Sequence, residues 1–237
     1  MKLAVLSDLH LSTPDAACAF TWDEARLLRL LDQVEGEHDL VLLCGDVFDH
    51  HVGPSFPRRR RDLDAARRAW PALVARLEGA RFHWIHGNHD VLTRERGVPE
   101  AWSLDADGVR VVAMHGHRFH PLYPWHEALK YPVKALASWG LRGPARPLGE
   151  ALFAWNERVS QPSEGSDEPS QTTLGARAWL AAHPEVDLLV CGHDHKPQVE
   201  RQASGQRYAN SGTCAYGRLD WLSVDTARRA VEVRSGL

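Results

Sequence analysis

Five short clusters hold the residue types of a metal site: Asp8-Leu9-His10, Gly45-Asp46, Asn88-His89-Asp90, His115-Gly116-His117 and His193-Asp194-His195. Each follows closely on an apolar run: Leu3 to Leu6, Leu40 to Leu43, Phe82 to Ile85, Val109 to Met114 and Val186 to Val190. A single polar turn after such a run is ordinary, because Gly, Asn and Asp are common turn residues. Five of them are hard to explain as packing. Many carboxylates and imidazoles are costly to gather in one place unless a cation offsets them. Carboxylate, imidazole and amide oxygen together suit a divalent ion of intermediate softness, such as manganese, iron or zinc. None of the ligand-type residues is a thiol, which argues against a structural cysteine zinc site. Asp8, His10, Asp46, Asn88, His89, His115, His193 and His195 are too many for one ion. Two ions roughly 3.5–4 Å apart and sharing a carboxylate would clamp a phosphoryl group and lower the pKa of a water between them.

To converge, the clusters must lie at the carboxyl ends of neighbouring buried strands, where open α/β sheets keep their ligands. If the backbone stays extended, Asp8 and His10 point the same way around Leu9, and so do His193 and His195. Helices must cover the strands. Thr21 and Glu24 have capping-box spacing ahead of Leu27, Leu28, Leu31 and Val34. Leu63, Ala66, Trp70, Leu73, Val74 and Leu77 keep one helical period, with Pro71 predicting a kink. Between the fourth and fifth clusters, Trp125, Leu129, Val133 and Leu136 form one helical stripe and Leu148, Leu152, Trp155 and Val159 another. A Gly- and Pro-rich stretch over 140–147 separates them. This reads as a helical hairpin inserted over 120–160, followed by a polar linker over 161–173 and a helix around Leu174 to Ala182. Further strands are expected around Tyr208, Trp221 to Val224 and Val231 to Val233.

With 237 residues, 43% of them hydrophobic, the chain can fill one large domain over 1–237. Its formal charge of −3 gives no global sign of a nucleic-acid partner. Cys18, Cys44, Cys191 and Cys214 are widely spaced and read as reduced, buried residues. The apolar run near the first residue is too short for a signal peptide or a membrane span. Together these predict a cytoplasmic protein, with peripheral membrane contact as a further option. The run Arg58, Arg59, Arg60, Arg61 is either a solvated helix start or an anion-steering rim.

Taken in order, Asp8-x-His10, Gly45-Asp46, Gly87-Asn88-His89-Asp90, His115 and Gly192-His193-x-His195 resemble the motif set of the calcineurin-like metallophosphoesterase superfamily. The resemblance covers most of the chain. It implies an α/β (α+β) fold, a four-layer αββα sandwich of two mixed sheets flanked by helices. It implies two divalent ions, manganese by preference, with iron, zinc and magnesium as alternatives. Asp8, His10 and His195 would hold one, Asn88, His115 and His193 the other, and Asp46 would bridge. His89 would contact the scissile phosphate and stabilise charge or protonate the leaving oxygen, with Asp90 orienting it. Asp49 is either a support behind these groups or a loop cap.

Within the superfamily, Asp8-Leu9-His10-Leu11, Gly45-Asp46-Val47-Phe48-Asp49, Met114-His115-Gly116 and His193-x-His195-Lys196-Pro197, with the helical insertion, look like the UDP-2,3-diacylglucosamine pyrophosphatase branch. There a helical lid covers an acyl-chain groove. The chain departs from that branch at His89, where an arginine is frequent, and at His117, where an acidic residue is. His117 is either a phosphate-contacting group or a loop histidine. The expected substrate is therefore a phosphoester, and three readings stay open: a nucleotide-linked lipid, a single-stranded nucleic acid beside Arg58 to Arg61 and the tryptophans, or a non-catalytic metal-stabilised interaction module.

Overall fold

The structure, a computed structural model, describes the chain except residues 16, 54, 56, 57, 122, 124, 161–168 and 237, and the side chains of 126, 127, 129–131, 153 and 155–160. The strands are β1 (Lys2–Leu6), β2 (Leu40–Cys44), β3 (Phe82–Ile85), β4 (Ala101–Ala106), β5 (Val109–Met114), β6 (Leu188–Cys191), β7 (Gln198–Arg201), β8 (Arg207–Asn210), β9 (Asp220–Asp225) and β10 (Ala230–Ser235). The helices are α1 (Glu24–Glu37), α2 (Arg59–Ala69), α3 (Pro71–Leu77), α4 (Trp125–Arg142), α5 (Arg146–Ser160) and α6 (Gln171–Ala182).

The strands form two five-stranded sheets, ordered β10-β9-β1-β2-β3 and β4-β5-β6-β8-β7. Both are mixed: β1, β2 and β3 run parallel, as do β5, β6 and β8, with antiparallel strands at their flanks. Side-chain alternation along the strands builds the layers. On β1, Leu3 and Val5 face Val111, Leu188 and Val190 between the sheets. Ala4 and Leu6 face the other way, into a core with Leu27, Leu31, Leu73 and Leu77 of α1 and α3. A third core joins Leu189 and Tyr208 to Ala176 and Leu180 of α6. These are the four layers of the expected αββα sandwich. Strands buried on both faces explain the continuous apolar runs of β1, β2 and β6.

Several local expectations change. α1 is capped by Asp23, whose carboxylate accepts the Arg26 amide at 2.6 Å, so Thr21 and Glu24 form no capping box. Glu24 instead accepts the Leu73 amide at 2.8 Å and ties α1 to α3. The single kinked helix is two helices, because Pro71 has no N–H to give and opens the second at its first turn. The linker's residues 161–168 lie outside the described residues. Gln171 to Thr173 are not linker but the first turn of α6, where the Ser170 hydroxyl accepts the Thr173 amide.

The insertion is a pair of contacting helices, α4 and α5. They touch backbone to backbone: a Cβ added at Gly149 would lie 2.4 Å from the Leu141 nitrogen. Its apolar stripes do not all pack inward. Trp125, Leu136 and Leu148 are exposed, as is Trp139. Among the described residues, no helix is long and apolar enough to cross a membrane. The four cysteines are free.

Candidate metal centre

The five clusters meet at one end of the two sheets, but not through extended backbone. Asp8, His10, Asp46, His193 and His195 have φ between 50° and 72°, the left-handed region. Each such non-glycine residue costs of order 1–3 kcal/mol, and such strain gathers at functional sites. Asp8 and His10 thus reach the same pocket through sharp turns beyond the strand, not by alternation.

Three groups of ligand atoms result: Asp8, His10 and His195 in the first, Asp46, His115 and His193 in the second, and His10, Asp49 and His89 in a third that shares His10 with the first. In the first, His10 Nε2 and His195 Nε2 are 3.2 Å apart, and Asp8 Oδ1 lies 3.2 Å from the latter. Asp8 is aimed by its other oxygen, which accepts from the Ser7 hydroxyl at 2.5 Å and the His193 amide at 3.0 Å. In the second, His115 Nδ1 donates to the Cys44 carbonyl at 2.8 Å, turning Nε2 to within 3.1 Å of Asp46 Oδ2. A backbone partner on the far nitrogen is how proteins fix a ligating imidazole. The groups adjoin, since Asp8 Oδ1 is 3.9 Å from His115 Nε2. Gly192 makes this packing feasible: a Cβ there would lie 2.4 Å from the Ser7 Oγ and 2.5 Å from Asp8 Oδ2.

His89 lies beside the first group, its ring centroid 4.7 Å from that of His10. Its supporting carboxylate is not Asp90. Asp90 is fully buried and points away, accepting the Gly87 amide at 2.7 Å and the Val47 amide at 2.9 Å. The residue before it on the chain is His89, yet the turn sends the two side chains in different directions. Asp49 occupies the expected place instead, with Oδ2 at 2.9 Å from His89 Nδ1 and 3.4 Å from His10 Nδ1.

A family model of calcineurin-like phosphoesterases matches residues 1–197. The chain belongs to that family. It is a metallophosphoesterase, a hydrolase of phosphoester or diphosphate bonds with a divalent metal centre. Curated relatives include the UDP-2,3-diacylglucosamine hydrolases of Shewanella halifaxensis, 25% identical over 220 residues with 87% of each chain covered, and of Escherichia coli, 26% identical over 223 residues with 88% of each covered. Among solved structures, a dimetal phosphatase from Danio rerio shares the fold with a TM-score of 0.56 at 13% identity, covering 99% of this chain and 95% of that one.

The residues fit a metallophosphoesterase's divalent ions on their own chemistry. Among the described residues, Asn88 Oδ1 is buried without a hydrogen-bond partner, and Asp8 Oδ1 and His115 Nε2 face only other members of the ligand groups. A buried polar atom left without a hydrogen bond costs about 1–3 kcal/mol, so such a place favours a ligand that satisfies it. The charges show the same demand. Burial lowers the His115 imidazole, but Asp46 and Asp8 outweigh it and raise it to about 10. Burial raises Asp46, and His115 and His89 nevertheless pull it well below the carboxylate range. A proton on His115 thus supplies the positive charge that the carboxylates require. Burial, followed by His115 and His117, keeps His193 well below the ordinary histidine value.

His117 sits at the edge of the second group, its ring 5.5 Å from His115 and 4.8 Å from Tyr123. Burial lowers it to about 3, so it is an uncharged lining residue at neutral pH. Of the arginine run, Arg60 pairs with Glu95 at 2.9 Å rather than with the ligand groups, and Arg58, Arg60 and Arg61 are exposed. Sequence reasoning missed Lys134 of α4, whose Nζ lies 3.2 Å from His89 Nε2. A lone lysine in an amphipathic segment carries no spacing signal that could have singled it out.

Proposed function

We propose that Asp8, His10 and His195 hold one divalent ion, Asn88, His115 and His193 hold a second, and Asp46 bridges them. The observation that carries this reading is the pair of adjoining ligand groups, each with two imidazoles and one carboxylate around a common gap. When bound, the ions supply Lewis acidity toward phosphoryl oxygens and a water acidic enough to attack phosphorus at neutral pH. The chain's own residues do the rest. Asp49 fixes His89 through Nδ1, which leaves Nε2 as the ring nitrogen that would meet a leaving oxygen. Manganese is the first ion to test, because the set mixes imidazole with carboxylate and amide oxygen.

The substrate we infer is a diphosphate linking a nucleotide to a lipid, of the UDP-2,3-diacylglucosamine type. Its support is the likeness to hydrolases of that name, together with the α4–α5 insertion and its exposed Trp125, Leu136 and Leu148. Those exposed side chains are apolar surface that an acyl chain would cover, and the insertion would act as a lid. Manganese-loaded protein should cleave UDP-2,3-diacylglucosamine and bis-p-nitrophenyl phosphate alike. Cleavage of the chromogenic diester alone would remove the lipid substrate, and cleavage of neither would remove the proposal.

A further inference from the structure

Lys134 stands in the middle of α4 and is 8% exposed. Among the described residues, its one hydrogen-bond partner is His89 Nε2, at 3.2 Å. An ammonium group has donors only, so Nε2 accepts and the ring proton lies on Nδ1, facing Asp49. The charge of Lys134 also reaches Asp49 and His51. Burying an ammonium without a carboxylate in hydrogen-bond range is costly. The helix is nonetheless held in this position. Ala135, Ala137 and Ser138 beside Lys134 are buried, and Arg142 at the helix end pairs with Asp15 at 2.8 Å. A buried cation with no carboxylate in hydrogen-bond range among the described residues, fixed beside a metal centre of a phosphoesterase, has the chemistry of a receptor for a phosphoryl oxygen.

We propose that Lys134 is a phosphate clamp that the inserted hairpin delivers to the active site. With substrate bound, Nζ leaves His89 Nε2 for a phosphoryl oxygen, and the released Nε2 must take a proton from water before it can donate one to the leaving oxygen. At 3.2 Å from Nε2, Nζ is close enough to His89 to donate to a phosphoryl group that lies beside that ring. The hairpin is then part of the catalytic site as well as a cover, so even a substrate with no acyl chain depends on it. This inference rests on the placement of the phosphate beside His89 given above.

The test compares wild type with Lys134→Ala and Lys134→Arg, all manganese-loaded. It measures kcat and KM on bis-p-nitrophenyl phosphate and competitive inhibition by inorganic phosphate. Loss of one charged hydrogen bond should weaken phosphate inhibition and lower kcat/KM by about 10- to 100-fold in the alanine variant. Metal content should be unchanged, and arginine should restore most of the loss. An unchanged phosphate inhibition constant with full metal occupancy would overturn the proposal. So would loss of metal in Lys134→Ala, which would make the residue structural. Wild type inert toward the diester would instead overturn the function reading, and the clamp with it.

Discussion

Exchanging Asp49 and Asp90, one at a time, for asparagine separates two carboxylates that look equivalent on the chain. Asp49 is 2% exposed and uses both oxygens. One accepts the His51 amide at 2.8 Å, and the other faces His89 Nδ1 at 2.9 Å and His10 Nδ1 at 3.4 Å. Asparagine has one acceptor oxygen. If that oxygen keeps the His51 amide, an NH2 group opposes the His89 N–H, and the ring must change tautomer or turn. Replacing a charged by a neutral or opposed hydrogen bond loses about 1–2 kcal/mol, which is roughly 5- to 30-fold in kcat. Asp90→Asn acts differently. Its two oxygens accept the Gly87 and Val47 amides in a fully buried place. One donor then opposes another, which costs about 1–3 kcal/mol of stability. Steady-state kinetics on bis-p-nitrophenyl phosphate and urea unfolding of the same preparations read the two effects. Asp49→Asn should slow turnover with a small change in the unfolding midpoint, and Asp90→Asn should lower the midpoint while the folded fraction turns over normally. The reverse pattern would refute the assignment of Asp49 as the support for His89.

Asp46→Ala should remove bound metal and activity together, as metal analysis and diester hydrolysis would show, because it takes away the shared carboxylate. Metal uptake by chelator-stripped protein should release protons and tighten as pH rises. His115 is raised to about 10 when metal-free and so carries a proton at neutral pH that a ligand cannot keep. Calorimetry in buffers of different ionisation enthalpy measures that release, and pH-independent affinity would contradict it. Gly149→Ala should spread α4 from α5, since its Cβ would lie 2.4 Å from the Leu141 nitrogen. Limited proteolysis should then cut faster between 120 and 160, with the sandwich core unfolding at its former midpoint.

Most of the sandwich was legible because β1, β2 and β6 are buried on both faces and read as unbroken apolar runs, while β3 and β5 are apolar runs interrupted only by His83 and Arg110. β4 and β7 escaped. They are edge strands with alternating exposure, Ala101–Ala106 and Gln198–Arg201, and their polar residues hide the pattern. The convergence of Asp8, His10, Asp46, His115, His193 and His195 was legible because each follows a strand end, and strand ends on one side of parallel sheets must meet. What lies behind those residues was not. Asp49 and Asp90 both lie close to ligand residues on the chain, and what separates them is tertiary: the Gly87 and Val47 amides hold Asp90, while Asp49 faces His89. Lys134 was invisible for a related reason: its partner is 45 residues away, and no local period records such a contact.

The most direct measurement is the stoichiometry and magnetic coupling of manganese in reconstituted wild-type protein. Metal analysis should find two ions per chain, and electron paramagnetic resonance should show the exchange-coupled multiline signal of a bridged pair, replaced by uncoupled or absent manganese in Asp46→Asn. One ion per chain, or two that show no coupling in the wild type, would contradict a centre built around a shared Asp46.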